Sequence, residues 1–215
     1  MAGVRTPRQK RGQDTWERLL DAAEQVLAED GFDGFTLTAV SRRAGISNGA
    51  IYWRVDSMES LFAAVHDRVI GRLREENAVY DDDRPWAGLT ATEVAAAAVA
   101  ELAGSFRRHR AILRALVLRS GSDPASSQRG AAAVREASER FVARVAAALA
   151  AAGCDEPDVV AATIFRVAFG ALTYRISWPE QEAGPRISWR RFVADLGEMA
   201  SAYAERHLPD AIAPH

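Results

Sequence analysis

From Asp14 the chain repeats apolar residues at helical spacing: Trp16, Leu19, Leu20, Ala23, Val26 and Leu27, with acidic residues between them. Asp14 and Glu17 have the form of a capping box, which predicts a helix from Asp14 that Gly31 stops. A second, short helix is expected after Thr36 as N-cap, running through Leu37, Val40 and Ala44 to Gly45. A third is expected after Ser47, running through Ile51 to Trp53. Ile46, Ile51 and Val55 read as core. A fourth helix, about 57–78, carries Met58, Leu61, Phe62, Val65, Val69 and Leu73 on its buried stripe. It breaks up at Tyr80 to Pro85, where three successive aspartates and a proline mark a boundary.

Five more helices are expected: about 91–107, about 109–119, a long one ending at Gly153, about 155–177, and about 188–207. The segment 155–177 is apolar on almost every side, so it needs cover on both faces. One cover is its own domain and the other a second copy of the chain. The candidates for that interface are Val160, Ile164, Val167, Ala171, Leu196, Met199 and Tyr203; the alternative is that they only complete the monomer core.

Composition narrows the classes. Of 215 residues 43 are Ala, and the 27 basic residues are 26 Arg and Lys10 alone. Ala and Arg are good helix formers and β-branched residues are few, so an all-β fold is excluded and an all-α fold of about nine helices is expected. The single Cys154 cannot form an internal disulfide, which fits a cytoplasmic protein. No run of 18 apolar residues occurs, so no membrane association is expected, and the basic N-terminus lacks an apolar signal core; the mature chain is expected to be the whole chain. No Glu-x-x-His pair, Cys/His cluster or phosphate loop is present, so no catalytic residue, metal or resident cofactor is expected. The net charge of −2 hides an uneven layout. Residues 1–13 carry four basic groups and no acid, while 14–33 carry seven acids against Arg18. A basic arm of this kind is either a disordered terminus or a DNA-backbone contact.

The segment 36–55, short helix, tight turn, short helix, has the layout of a helix-turn-helix, whose second helix enters the DNA major groove. Residues 15–62 resemble the N-terminal DNA-binding domain of the TetR family of bacterial transcriptional regulators. The residues that carry the resemblance are Leu20, Ala22-Ala23, Gly31-Phe32, Thr36, Ala44-Gly45-Ile46-Ser47, Gly49, Ile51-Tyr52, Glu59 and Leu61. Met58 departs from the pattern, because the family commonly has Lys there to reach a phosphate; one backbone contact is lost and the salt dependence becomes shallower.

Candidate DNA-contacting residues follow from chemistry. Thr36 and Thr38 open the second helix and suit a phosphate oxygen; Arg42 and Arg43 near its end pair with the backbone or are solvated. Ser47 and Asn48 can bond phosphate or a base edge. Gly49 and Ala50 let the third helix sit deep in the groove. Tyr52 divides between packing and a phosphate contact, Trp53 between the sugar-phosphate and the core, and Arg54 is the candidate for guanine. The resulting organisation is a disordered basic arm at 1–12, a DNA-binding domain at 13–73 with its helix-turn-helix at 36–55, and a helical effector-binding and dimerisation domain at 74–215.

Candidate effector-pocket residues are Trp86, Phe106, His109, Phe165, Arg166, Phe169 and Tyr174. The arginine run Arg107, Arg108, Arg110, Arg114 and Arg119 reads as a solvated face, as a partner for the acidic 75–83 region, or as a site for an anionic effector. The expected function is a DNA-binding regulator, a repressor by the family's common mode. It would bind a palindromic operator as a homodimer and be released by an unidentified small molecule. The alternative is a helical dimer that keeps the fold but binds protein or lipid.

Overall fold

The computed structural model describes residues 10–180 and 184–209, and among them the regular structure is helical with no strand. In chain order the helices are α1 (Lys10–Asp30), α2 (Leu37–Ala44), α3 (Asn48–Tyr52), α4 (Met58–Asn77), α5 (Ala91–Arg108), α6 (Arg110–Ser120), α7 (Pro124–Ala151), α8 (Pro157–Ser177) and α9 (Trp189–Glu205). The all-α reading therefore stands. α1 begins earlier than the periodicity suggested: Asp14 lies a full turn inside it, so the capping box does not form and residues 10–12 are helical, not a disordered arm. The rest of that arm lies outside the described residues.

The chain divides into two compact units. The first joins the described residues up to Arg72 to His109–Gly130; the second joins Leu73–Arg108 to the described residues from Ala131 onward. Residues 109–130, grouped by the sequence reading with the C-terminal domain, thus fold with the helix-turn-helix, where α6 packs against α1.

In the first unit Leu19, Ala23, Val26 and Leu27 of α1 meet Val40, Ile51, Val55, Leu61, Val65 and Val69 in one core. Each of these Leu, Ile and Val side chains contributes about 1.5–3 kcal/mol when fully buried. Arg68 and Arg72 of α4 reach across to Asp21 and Glu24 of α1, and Arg68 also lies near Glu17. The acidic stripe of α1 is thereby matched by arginines inside its own unit. His66 is buried in α4, its ring 5.9 Å from that of Phe62. Desolvation pushes its pKa below the usual 6.5, with Arg129 acting in the same direction and Asp67 and Asp123 opposing.

The second unit is built on α5, α8 and α9. α5 and α9 lie closest, because Gly197 faces Ala96 and the Ser201 hydroxyl donates to the Thr92 carbonyl at 2.9 Å. The aspartate run that reads as a boundary is instead pinned in this unit as two 3-10 turns, Ala78–Asp81 and Arg84–Trp86. Arg140 and Arg144 of α7 pair with Asp81 and Asp83 at 3.0 and 2.8 Å, and the Arg144 Nε donates to the Tyr80 carbonyl. Arg108 pairs with Glu76, so one member of the arginine run does meet the acidic region. α8 has the length and mean hydropathy of a bilayer-spanning helix, but Val160, Ala161, Ile164, Phe165, Ala168 and Leu172 are buried and the helix packs on α5 and α9.

Two outcomes are expected. Below pH 6.5 the unfolded chain binds the His66 proton more readily than the folded one, so His66 draws stability down as pH falls toward its folded pKa. Denaturant titrations across that window should show His66→Gln losing less stability than the parent; an identical decline in both would contradict the assignment. Gly45 holds φ +63°, whereas Gly49 has open space around its Cα. Gly45→Ala should therefore cost about 1–2 kcal/mol, and Gly49→Ala should cost nothing.

Candidate nucleic-acid interface

α2 and α3 are each started by a hydroxyl. Thr36 Oγ1 accepts from the Ala39 amide at 3.2 Å and Ser47 Oγ accepts from the Ala50 amide at 3.3 Å. Between them the left-handed Gly45 ends α2, its amide donating to the Ser41 carbonyl. Ser41 Oγ donates to the Ile46 carbonyl at 2.6 Å and closes the turn from the side. Ile46, Ile51 and Val55 are buried, as their spacing implied, and they anchor a helix of only five residues.

What this leaves outward is the set of small and polar residues of α3. Ser47, Asn48 and Gly49 are exposed, Ala50 is half-buried, and Tyr52 and Trp53 are 54% and 59% exposed. Trp53 is therefore not a core residue. Arg54 is half-buried: Nη1 donates to the Ala50 carbonyl at 3.2 Å, Nε has no hydrogen-bond partner, and the guanidinium lies 5.5 Å from the centroid of the Trp53 ring. It thus braces the end of α3 and the exposed indole. On α2, Thr36, Thr38 and Arg42 are exposed, while Arg43 is held at 2.6 Å by Glu29 of α1, a contact that sequence spacing does not show. Met58 is half-buried in the first turn of α4, where Ser57 Oγ accepts from the Ser60 amide.

The candidate effector residues fall differently. In the second unit six rings run in sequence: Trp86 stacks on Tyr80, Tyr80 meets Phe141, and Phe141 meets Phe165, with Phe169 and Phe106 following, at centroid separations of 5.4–5.8 Å. Four of the seven candidates, Trp86, Phe106, Phe165 and Phe169, belong to this row. Tyr80 and Phe141 were missed because each lies on an element whose buried face was not evident from spacing. Arg166 is exposed and donates to Thr163 Oγ1, and Tyr174 is 42% exposed beside Trp178. Neither is drawn into the aromatic row. His109 belongs to the first unit and is half-buried.

Of the interface candidates, Val160, Ile164 and Leu196 are buried within the chain, Ala171 and Tyr203 are half-buried, and Val167 and Met199 are 50% and 59% exposed. Val159 and Tyr174 extend the exposed apolar positions of α8. The buried members complete the monomer; the exposed ones do not.

The Arg43 hydrogen bond holds the Glu29 carboxyl below the usual carboxylate range, and Glu29 in turn raises Arg43. The pair is accordingly intact above the ordinary carboxylate pKa and is lost as pH falls through the lowered value. An NMR titration of Glu29 should move its pKa up to the ordinary value in Arg43→Gln; an unchanged titration would mean that the pair does not form in solution.

Residues 19–65 match the family model described as bacterial regulatory proteins, tetR family. The chain is 32% identical over 71 residues to the HTH-type transcriptional regulator UidR of Escherichia coli, covering 31% of this chain and 36% of that one. It is 39% identical over 61 residues to the HTH-type transcriptional repressor BepR of Brucella suis, covering 28% and 27%. The alignments span about a third and about a quarter of these two curated relatives. A TetR-like transcriptional regulator from Rhodococcus sp. shares the fold over 94% of this chain and 97% of its own, with a TM-score of 0.59 and 22% identity. The helix-turn-helix segment is thus similar to the tetR family of bacterial regulatory proteins, and the chain as a whole shares the fold of a TetR-like regulator.

Proposed function

We propose that the chain is a cytoplasmic transcriptional regulator that binds a palindromic operator as a homodimer, represses from it, and is released by a small-molecule effector. One observation carries the reading: α3 buries Ile51 and turns Ser47, Asn48, Gly49, Tyr52 and Trp53 to solvent. A helix kept for packing alone has no use for an exposed Trp next to an exposed Tyr, whereas a groove-reading helix needs small residues at its start and a flat ring against sugar and phosphate. Asn48 can bond adenine through two hydrogen bonds, and the free amides at the start of α2 suit a phosphate. Arg54 supports Trp53 and leaves few guanine contacts, so DNA shape adds to selection.

A single five-residue helix gives a small interface, and a two-fold dimer doubles it on two half-sites. The exposed Val159, Val167 and Met199 support the self-pairing of α8 and α9. Effector action requires a ligand with different affinity for two conformations. α4, the α5 to α6 junction at Arg108–His109, and α7 each pass from one unit into the other and are the covalent links through which occupancy would be felt.

Fluorescence anisotropy with the DNA flanking its own gene tests the reading. Binding should be sequence-selective and steepen as salt is lowered. Asn48→Ala should weaken it by about 1–3 kcal/mol per half-site, and Met58→Lys should steepen the slope of log K against log salt by about 0.9 per subunit. Glu29→Gln should tighten binding by freeing Arg43. Affinity that is indifferent to sequence and to Asn48 would overturn the proposal.

A further inference from the structure

The first unit contains a cleft of about 210 Å³, lined by Phe32 after α1, by Phe62 in the second turn of α4, and by Arg119, Asp123 and Arg129 around the α6 to α7 turn. It is distinct from the outward face of α3. Its volume exceeds what one water needs and falls below the roughly 300–1,000 Å³ of sites for drug-sized molecules, so its occupant is small.

The lining is under-satisfied in one direction. The Arg119 guanidinium lies 3.8 Å from the centroid of the Phe32 ring, and its Nε is buried with no hydrogen-bond partner. The neighbouring carboxylate, Asp123, is 3.8 Å from that nitrogen, beyond hydrogen-bond reach. Asp123 is committed elsewhere: it accepts from the Ser126 hydroxyl at 2.7 Å and from the Ala125 amide at 3.1 Å, which holds its pKa below the usual range. Arg129 also lies at the cleft, its Nε 3.7 Å from the exposed Asp67. Two cations thus line the cleft, and the carboxylate paired with each lies 3.7–3.8 Å away. Beside them Phe32 and Phe62 meet edge to face at 5.3 Å and supply an apolar wall.

We propose that this cleft is a binding site for a small monocarboxylate bearing a flat apolar group, the carboxylate taken by Arg119 and Arg129 and the ring set against Phe32 and Phe62. Arginine suits a carboxylate because its planar fork can donate two parallel hydrogen bonds. Asp123 and the exposed Glu59 also line the cleft and partly offset the two arginines, so a second negative charge on the occupant gains less than the first. Phe32 precedes α2 and Phe62 follows α3 in the chain, so an occupant would tie the α6 to α7 turn to segments on both sides of the helix-turn-helix. Binding itself requires no DNA and does not depend on the regulatory reading.

Sodium benzoate is the probe, titrated into the full-length chain and followed by amide shifts in TROSY spectra, with benzamide as the uncharged control. Saturable shifts are expected at Phe32, Ala63 and Ala125, with benzamide binding at least about tenfold more weakly. Arg119→Gln should remove the preference for benzoate. Ala125 is exposed at the start of α7, so Ala125→Trp should block the cleft while leaving the thermal melt of the unit unchanged. No saturable shift, equal binding of benzamide, or benzoate binding that survives both substitutions would overturn the proposal.

Discussion

A helix of five residues does not hold itself together in water, because its nucleation cost is not repaid by so few internal hydrogen bonds. α3 exists because Ile51 is fully buried and Ile46 and Val55 flank it in the core. Every property of the outward face depends on that anchoring. Once Ile51 points inward, helical geometry turns Gly49 and Tyr52 outward, and Asn48 is exposed because it stands at the first position of α3. The left-handed Gly45 and the Ser47 cap then set where α3 starts relative to α2.

Electrostatics supports the same arrangement from behind. α1 carries a strip of carboxylates that would repel DNA if left bare. Asp21 and Glu24 are met by Arg68 and Arg72 of α4, and Glu29 by Arg43 of α2. Exposed pairs of this kind contribute little to stability. Their consequence is spatial, since they neutralise α1 and fix how α4 crosses it. The Glu29 pair also places a competitor beside one of the few cations on α2, so any phosphate approaching Arg43 would have to displace a carboxylate.

Much of the fold is legible in the sequence because helical periodicity, hydroxyl caps and glycine stops agree along the chain. α2, α3 and α4 fall within a residue or two of where Thr36, Gly45, Ser47 and the apolar stripe place them. Three things were not legible. The start of α1 was missed because Asp14 and Glu17 mimic a cap, while the helix extends a turn further back to Lys10. The membership of 109–130 in the first unit depends on α6 meeting α1, a contact between segments far apart in sequence. The role of the aspartate run was hidden because its partners, Arg140 and Arg144, lie some sixty residues away. At the site, small and polar residue types signalled which positions face out. Long side chains did not: whether Arg43 and Arg54 are free or engaged is decided by Glu29 and by the Ala50 carbonyl, neither of which sequence spacing reveals.

The central claim is that the exposed face of α3 meets DNA. The most direct measurement is amide chemical-shift mapping by TROSY of the full-length chain against the duplex that flanks its own gene. The account predicts that the largest perturbations fall on Ser47 to Trp53 and on the first turn of α2, with smaller ones at Met58 and Arg43. Perturbations centred on α8 and α9, or an unaffected α3 at saturating duplex, would contradict it.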